Sequence, residues 1–598
     1  MDKKIFIGIL NVALISSLSL YVLGIFGLQP NGYQFDIYSQ LGFNILLGYI
    51  FSFISAMLLY TLVDKPKKYL YLFLVFAIYF GIIISPYLLG YYLSDRGDSL
   101  GSIGYVRTIL QTGKTDPLDI YPVYWILLAI VSILSNIPVS EITLLSTILN
   151  NFIFILAMLL FVKRFNSKLL LYFTPAFLLT YYHGTTIAQF FAYALNLLVL
   201  YLLLVHTLDN MGYGGKGTNA LPILILMITL IFSHPFVAFF NLGILLVFAL
   251  FPRVHPKGFI EKNNTCNKIL RIYILVLAGW VSWQQMLMQN LVYIPEFAKN
   301  IFIVKQVLYA TSIPEVSFFE LLKYFVIRFW SQILIYLTAL AMALIYFFTY
   351  KGKQKLIEKI SNHMIEILVA SWSIIFTIIL LLLKHGYDRV FGLNFMIFGS
   401  IAVISALDQK LKASKWHKIL IFCLIISMPF SVFGAFYSPV NGMPYTGVTF
   451  GELAGVMFSF SHLDQNQKLI DPIGEAKRWS MWLYGYSETF RRGEVLYLYK
   501  LPDHFGYGNV TCFSKNEYIE RIEHNIFGYK ELHKYYYPEL LVIVPDYAIE
   551  MYEKVPLFNK VARFRYTDEM MLRADHSVNS IYYGSNLRVY KPIPCDNN

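Results

Sequence analysis

The chain has 598 residues, of which 57% are hydrophobic and only 14% charged, with a formal net charge of +12. Water-soluble domains carry about 25% charged residues, so a single soluble globule is excluded. A mean hydropathy of +0.56 equally excludes a chain that stays disordered in water.

A helix that crosses a bilayer needs about 20 apolar residues. Runs of that kind predict about thirteen spans: 5–28, 41–63, 69–92, 141–162, 169–184, 186–206, 220–233, 236–252, 270–292, 323–349, 364–383, 390–407 and 418–436. The runs are continuous and not alternating, which excludes a closed β-barrel. The first begins like a secretory signal, behind Lys3 and Lys4. Its apolar core is too long, and no A-x-A-like site follows, so it is expected to stay as an anchor.

Basic residues orient the spans. With the N-terminus in the cytoplasm, the connections on that side hold 22 Lys and Arg, against about 8 on the other side up to residue 436. Residues 120–136 (IYPVYWILLAIVSILSN) are apolar too, but a crossing there would strand Lys163, Arg164 and Lys168 outside. This segment is expected to lie in the outer interface.

The expected architecture is a mainly α, polytopic membrane protein with a cytoplasmic N-terminus. Residues 1–436 form the transmembrane domain, with outer loops at 93–140 and 293–322. Residues 437–598 form an extracytoplasmic α/β domain. That tail holds 17 Lys and Arg against 19 Asp and Glu, so the positive excess belongs to the membrane part. A nucleic-acid partner thereby loses its main support.

Within the tail, Thr449 and Glu452 match a capping box before FGELAGVMFSF. VLYLYKL (495–501) and LLVIV (540–544) read as strands, and 580–591 reads as a hairpin turning near Gly584 and Ser585. Cys266 is expected in the cytoplasm and Cys423 in a span. Cys512 and Cys595, both in the tail, are candidates for a bridge, and the four give no metal pattern.

The loop after the third span carries the most chemistry. It reads Tyr91-Tyr92-Leu93-Ser94-Asp95-Arg96-Gly97-Asp98-Ser99-Leu100-Gly101. Asp95 and Asp98 sit where a helix leaves the membrane, a depth at which a carboxylate is wet, paired or functional. There it can act as a general base for a sugar hydroxyl or ligate a divalent cation. The plainer account is a solvated turn that caps the following helix. Lys384, His385 and Arg389, between the eleventh and twelfth spans, are cationic partners for a phosphate; Arg389 either forks onto it or pairs with Asp388. His234 and His183 lie at outer span ends, either as ligands or as satisfied structural histidines. Arg107 lies on an amphipathic run and can face headgroups, and Arg328 can snorkel. Tyr92, Tyr121 and their aromatic neighbours form an interfacial belt or, alternatively, a sugar platform.

Three elements carry a resemblance: Tyr33-Gln34-Phe35-Asp36-Ile37-Tyr38, Asp98-Ser99-Leu100 running to Gly104, and Asn579 to Gly584 followed by Arg588-Val589-Tyr590. With the leading anchor and the carboxylate loop, these resemble the GT-C superfamily of polytopic glycosyltransferases, in an archaeal branch. That superfamily includes protein mannosyltransferases and the oligosaccharyltransferase catalytic subunit. The resemblance implies transfer of a sugar from a polyprenyl-phosphate donor on the outer face to a glycan, lipid or protein acceptor. It implies Asp98 as the catalytic carboxylate, with Asp95 second. In most of the superfamily that loop follows the first span, which leaves Asp36 as the alternative. Lys384, His385, Arg389, His234 and Arg107 would then serve the donor phosphate, and His183, Tyr121 and Tyr92 the substrate groove. A divalent metal is optional because the leaving group is already a phosphate. Trp482-Leu483-Tyr484-Gly485-Tyr486 resembles the oligosaccharyltransferase W-W-D-Y-G motif but lacks its Asp, so sequon recognition is not implied.

Two other classes stay open. A transporter or flippase needs midplane ionisable groups and commonly internal repeats, and the spans offer almost none of the former and no visible repeat. A non-catalytic assembly protein leaves the outer-face Asp, His and Arg unexplained. In an enzyme, Asp98, His234 and Arg389 should converge on one groove; in an assembly protein they should scatter.

Overall fold

The computed structural model describes residues 2–64, 67–116, 119, 121–165, 184–185, 187–210, 220–254, 263–286, 317–349, 364–382, 399–404, 407–408, 415–463, 467–473, 475–492, 540–555, 565–574, 578–584 and 586–592. Helices α1 (Lys3–Phe26), α2 (Ile37–Leu62) and α3 (Lys67–Leu88) lead to strand β1 (Tyr91–Leu93) and helix α4 (Asp98–Thr112). A helical series follows: α5 (Pro122–Ser135), α6 (Ile142–Phe165), α7 (Ala188–Asn210), α8 (Leu221–Ser233), α9 (Pro235–Val254), α10 (Asn263–Met286), α11 (Phe318–Arg328), α12 (Trp330–Thr349), α13 (Met364–Leu382) and α14 (Lys415–Ser427). The remainder alternates: β2 (Val448–Thr449), α15 (Phe450–Ser461), β3 (Lys468–Ile470), α16 (Ala476–Tyr484), α17 (Tyr486–Arg492), β4 (Leu540–Pro545), α18 (Asp546–Lys554), α19 (Tyr566–Ala574), β5 (Val578–Tyr583) and β6 (Leu587–Pro592).

Among the described residues, five helical segments are long and apolar enough to cross a membrane: Lys3–Phe26, Ile37–Leu62, Lys67–Leu88, Trp330–Phe348 and Lys415–Gly434. Six shorter apolar helices accompany them. On α1, Val12, Ile15 and Leu23 point outward, a surface that calls for apolar surroundings and not water. The expected spans at 169–184 and 390–407 fall mostly outside the described residues.

Local chemistry sets the breaks between helices. Asp36 caps α2, its carboxylate accepting from the Tyr38 backbone N–H at 3.1 Å. The expected span at 323–349 is two helices, broken at Phe329. The break lies where residues 427–437 pack: Trp330 donates to the Ser427 carbonyl at 2.7 Å, and the Arg328 guanidinium lies 4.5 Å over the Tyr437 ring. Helix α5 has 14 residues, about 21 Å at 1.5 Å per residue, short of the roughly 30 Å hydrocarbon core.

Residues 448–592 build a four-stranded sheet in the order β3-β4-β6-β5. β3 and β4 run parallel, with Leu469 opposite Leu541, while β4/β6 and β5/β6 are antiparallel. The apolar run Leu541–Val544 is buried throughout. Strand β4 and the β5–β6 hairpin stand where the sequence places them. VLYLYKL, Cys512 and Cys595 lie outside the described residues.

The sheet shares its core with the loop after α3. Tyr92, Leu93, Leu100 and Ile103 cluster with Val456, Trp479, Leu541 and Val589. β1 and β2 pair antiparallel across that junction. Thr449 does cap α15, accepting from the Glu452 N–H at 3.1 Å. The reciprocal half of the expected capping box is absent, because the Glu452 carboxylate turns to Arg96 instead.

Candidate functional site

Arg96 is 1% exposed and ties the loop to the sheet region. Its guanidinium reaches Glu452 at 2.7 and 3.1 Å, Glu475 at 3.3 Å and the Gly447 carbonyl at 2.8 Å. It also lies 3.9 Å over the Tyr547 ring. One guanidinium thus serves two buried carboxylates. Burial raises the proton affinity of Glu452 against the pull of Arg96. Burial above all, then the charges of Asp471 and Glu452, push Glu475 up to about 8 against Arg96 and Arg478.

Beside this clasp, α4 starts at Asp98, with a carboxylate in its first turn, where the helix dipole favours one. The Asp95 carboxylate accepts from the Ser99 hydroxyl at 3.2 Å and its N–H at 3.4 Å, tying down the same turn. Asp95 is buried, and its carboxyl is raised first by that burial and then by the charge of Asp98. Asp98 itself is solvent-facing and stands 3.5 Å from Arg478.

Helix α16 sits directly on α4. A Cβ at Gly104 would stand 2.6 Å from the Met481 carbonyl oxygen, so glycine permits this contact. Gly485, at φ +99°, then turns the chain so that the Tyr486 N–H donates to Thr108 Oγ1 at 2.8 Å. Tyr486 stacks on Tyr105 with centroids 4.5 Å apart, and Tyr105 stacks on Trp125 of α5 at 5.7 Å. The segment Trp482–Tyr486 therefore packs against α4.

These contacts border a partly open cavity of about 490 Å³, within the range of roughly 300–1,000 Å³ for small-molecule sites. Its polar wall is Asp98, Glu475, Lys477 and Arg478. Its aromatic wall is Tyr105, Tyr121, Trp125 and Tyr486, and Gln189 and His234 close it from α7 and the α8–α9 break. His234 stacks on Tyr121 at 5.2 Å, with 12° between the rings. Asp119 fixes this floor from behind. Its Oδ1 accepts from the Tyr121 N–H at 2.8 Å and the Trp125 indole N–H at 3.2 Å, and burial pushes its carboxyl up to about 7.

The fold thus brings three residues singled out in the sequence, Asp98, Tyr121 and His234, to one cavity. Asp95 lies behind it as a helix-end brace. Asp36, Arg107 and Tyr92 do other work and do not line it. Asp36 caps α2. Arg107, half-buried, packs its guanidinium 5.9 Å from the Trp482 ring, and burial lowers its pKa. Tyr92 accepts from the Trp482 indole at 2.9 Å, donates to the Ser140 carbonyl, and is pushed up to about 12 by burial. His183, Lys384, His385 and Arg389 lie outside the described residues.

Sequence reading missed Lys477, Arg478, Glu475, Gln189 and Asp119. The consecutive cations of Ala-Lys-Arg-Trp beside the aromatic Trp482–Tyr486 segment were the available signal. Among the described residues, no three or more His, Cys, Asp or Glu side chains gather as a metal site. No protein-family model matches the chain, and no curated protein matches it.

Proposed function

We propose that this chain is a membrane glycosyltransferase of GT-C type, moving a sugar from a polyprenyl-phosphate donor to a glycan, lipid or protein acceptor at the extracytoplasmic face. In this reading it has about thirteen spans, with a cytoplasmic N-terminus and an outer tail, an orientation that the basic asymmetry supports. The observation that carries the reading is the shared cavity of Asp98, Tyr121 and His234, which an assembly protein would not require.

Asp98 takes the proton of the acceptor hydroxyl. The acceptor oxygen attacks the anomeric carbon, and the bond from that carbon to the phosphate oxygen breaks. Polyprenyl phosphate leaves with the electron pair. The sugar sits against Tyr121 and His234, with Gln189 as a hydrogen-bonding side chain. Arg389, from the sequence alone, is a further partner for the donor phosphate in this reading, and no step is routed through a metal. The test is incubation of the purified protein with a panel of polyprenyl-phosphate sugars and a mixed acceptor pool. Release of lipid phosphate that requires Asp98 supports the reading. No release from any donor sinks it.

A further inference from the structure

We infer that the first turn of α16 is a phosphate-binding wall of the cavity, and that the bound oxyanion displaces Asp98 from Arg478, freeing that carboxylate only when the anion is present. The inference rests on the sugar-transfer reading and adds to it an anion site supplied by the tail and an order of events.

Lys477 and Arg478 are consecutive in the first turn of a nine-residue helix. The helix dipole disfavours cations there, so helix stability does not account for them. Both nevertheless line the cavity. Two backbone donors of this turn are already engaged: the Ala476 N–H donates to Asp471 at 2.5 Å, and the Arg478 N–H to the Glu475 carbonyl at 2.8 Å. Recognition of an anion therefore falls to the side chains. The Lys477 ammonium lies 4.6 Å over the Phe490 ring.

The contact between Arg478 and Asp98 is built to exchange. Their side chains are 42% and 57% exposed at a separation of 3.5 Å. Exposed pairs are worth about 0–1 kcal/mol. A guanidinium forked on phosphate makes two charge-assisted hydrogen bonds and is stronger. The other acid of this wall, Glu475, is already engaged at 3.3 Å by the buried Arg96. Phosphate binding thus leaves Asp98 without its counter-ion in the cavity it shares with the aromatic floor, where the acceptor hydroxyl would lie.

The test uses full-length protein in phosphatidylcholine nanodiscs, titrated calorimetrically with farnesyl phosphate and, separately, with inorganic phosphate. Arg478→Ala should weaken farnesyl phosphate binding about ten-fold or more, and Arg478→Lys should recover part of it. Asp98→Asn should tighten binding by about two- to five-fold, because it removes the competing counter-ion. A parallel response to inorganic phosphate supports recognition of the headgroup alone; a response to farnesyl phosphate only supports a lipid-borne phosphate. Wild-type affinity in Arg478→Ala overturns the wall, and unchanged or weaker binding in Asp98→Asn overturns the exchange. Binding is read without turnover. Arg478-dependent binding in a protein that transfers no sugar removes the glycosyltransferase reading alone. Sugar transfer with binding indifferent to both variants removes this inference alone.

Discussion

The Arg96 guanidinium lies 2.7 Å from the Glu452 carboxylate, 356 residues further along the chain, with both side chains almost fully buried. This contact fastens the loop after α3 to helix α15, which packs in the 448–592 region. Removing one partner of a buried pair strands the other, at about 3–5 kcal/mol. Arg96→Met should lower unfolding stability by that order and open the 448–592 region to limited proteolysis. Arg96→Lys, which cannot fork onto Glu452, should recover only part of the loss. Wild-type protease resistance in Arg96→Met would show that the apolar core alone holds the two regions together.

Asp98 and Asp36 make opposite predictions. Loss of a general base costs about 10²–10⁴-fold, so Asp98→Asn should lose that much turnover with an unchanged melting temperature. Asp36→Asn keeps an oxygen that can cap α2 and should keep turnover within about two-fold. The reverse ranking in a lipid-phosphate release assay would move the base to the first loop.

His234 is stacked on Tyr121, so ring shape and ring nitrogens can be separated. His234→Phe preserves the stack and removes both nitrogens; His234→Ala removes both features. If the nitrogens contact the sugar, the two variants should raise KM alike, by about ten-fold for one lost hydrogen bond to a charged or polar partner. Near-normal KM in His234→Phe assigns His234 to shaping the floor only.

Glu475 gives a pH signature. In the fold it holds its proton up to about pH 8, whereas an unfolded glutamate releases it near about 4.3. Between those values the folded chain binds more protons, so this stabilisation is full below the unfolded pKa and is lost as pH rises through about 8. The melting temperature should fall from pH 5 to pH 9. Glu475→Gln should flatten part of that fall, leaving the same-sign contributions of Asp119, which ends near pH 7, and of the buried Glu452 and Asp95. An equally steep fall in Glu475→Gln would assign the dependence to other groups.

The orientation is checked by labelling single cysteines in a background lacking the four natural ones. Lys114→Cys and Lys530→Cys should react with an impermeant reagent in intact cells. Lys262→Cys and Lys355→Cys should react only after lysis. Labelling of position 262 from outside would invert the topology.

Much of this protein is local and was therefore legible in the sequence. Long apolar runs form helices because their backbone donors and acceptors are satisfied within each segment, wherever the segment packs. The α5 helix, the Leu540–Pro545 strand and the 578–592 hairpin follow from short-range pattern in the same way. Asp98 was legible because a carboxylate at the start of a helix leaving an apolar run stands out against its surroundings. What the tertiary structure decided is non-local. Glu452 reads as a capping-box residue until Arg96, 356 positions away, offers a buried guanidinium that outbids a backbone N–H. Nothing in the sequence around Lys477 and Arg478 points to Asp98; the close contact at Gly104 is what seats their helix against it. Which charges share a cavity depends on packing between segments hundreds of residues apart, and no periodicity within either segment records it.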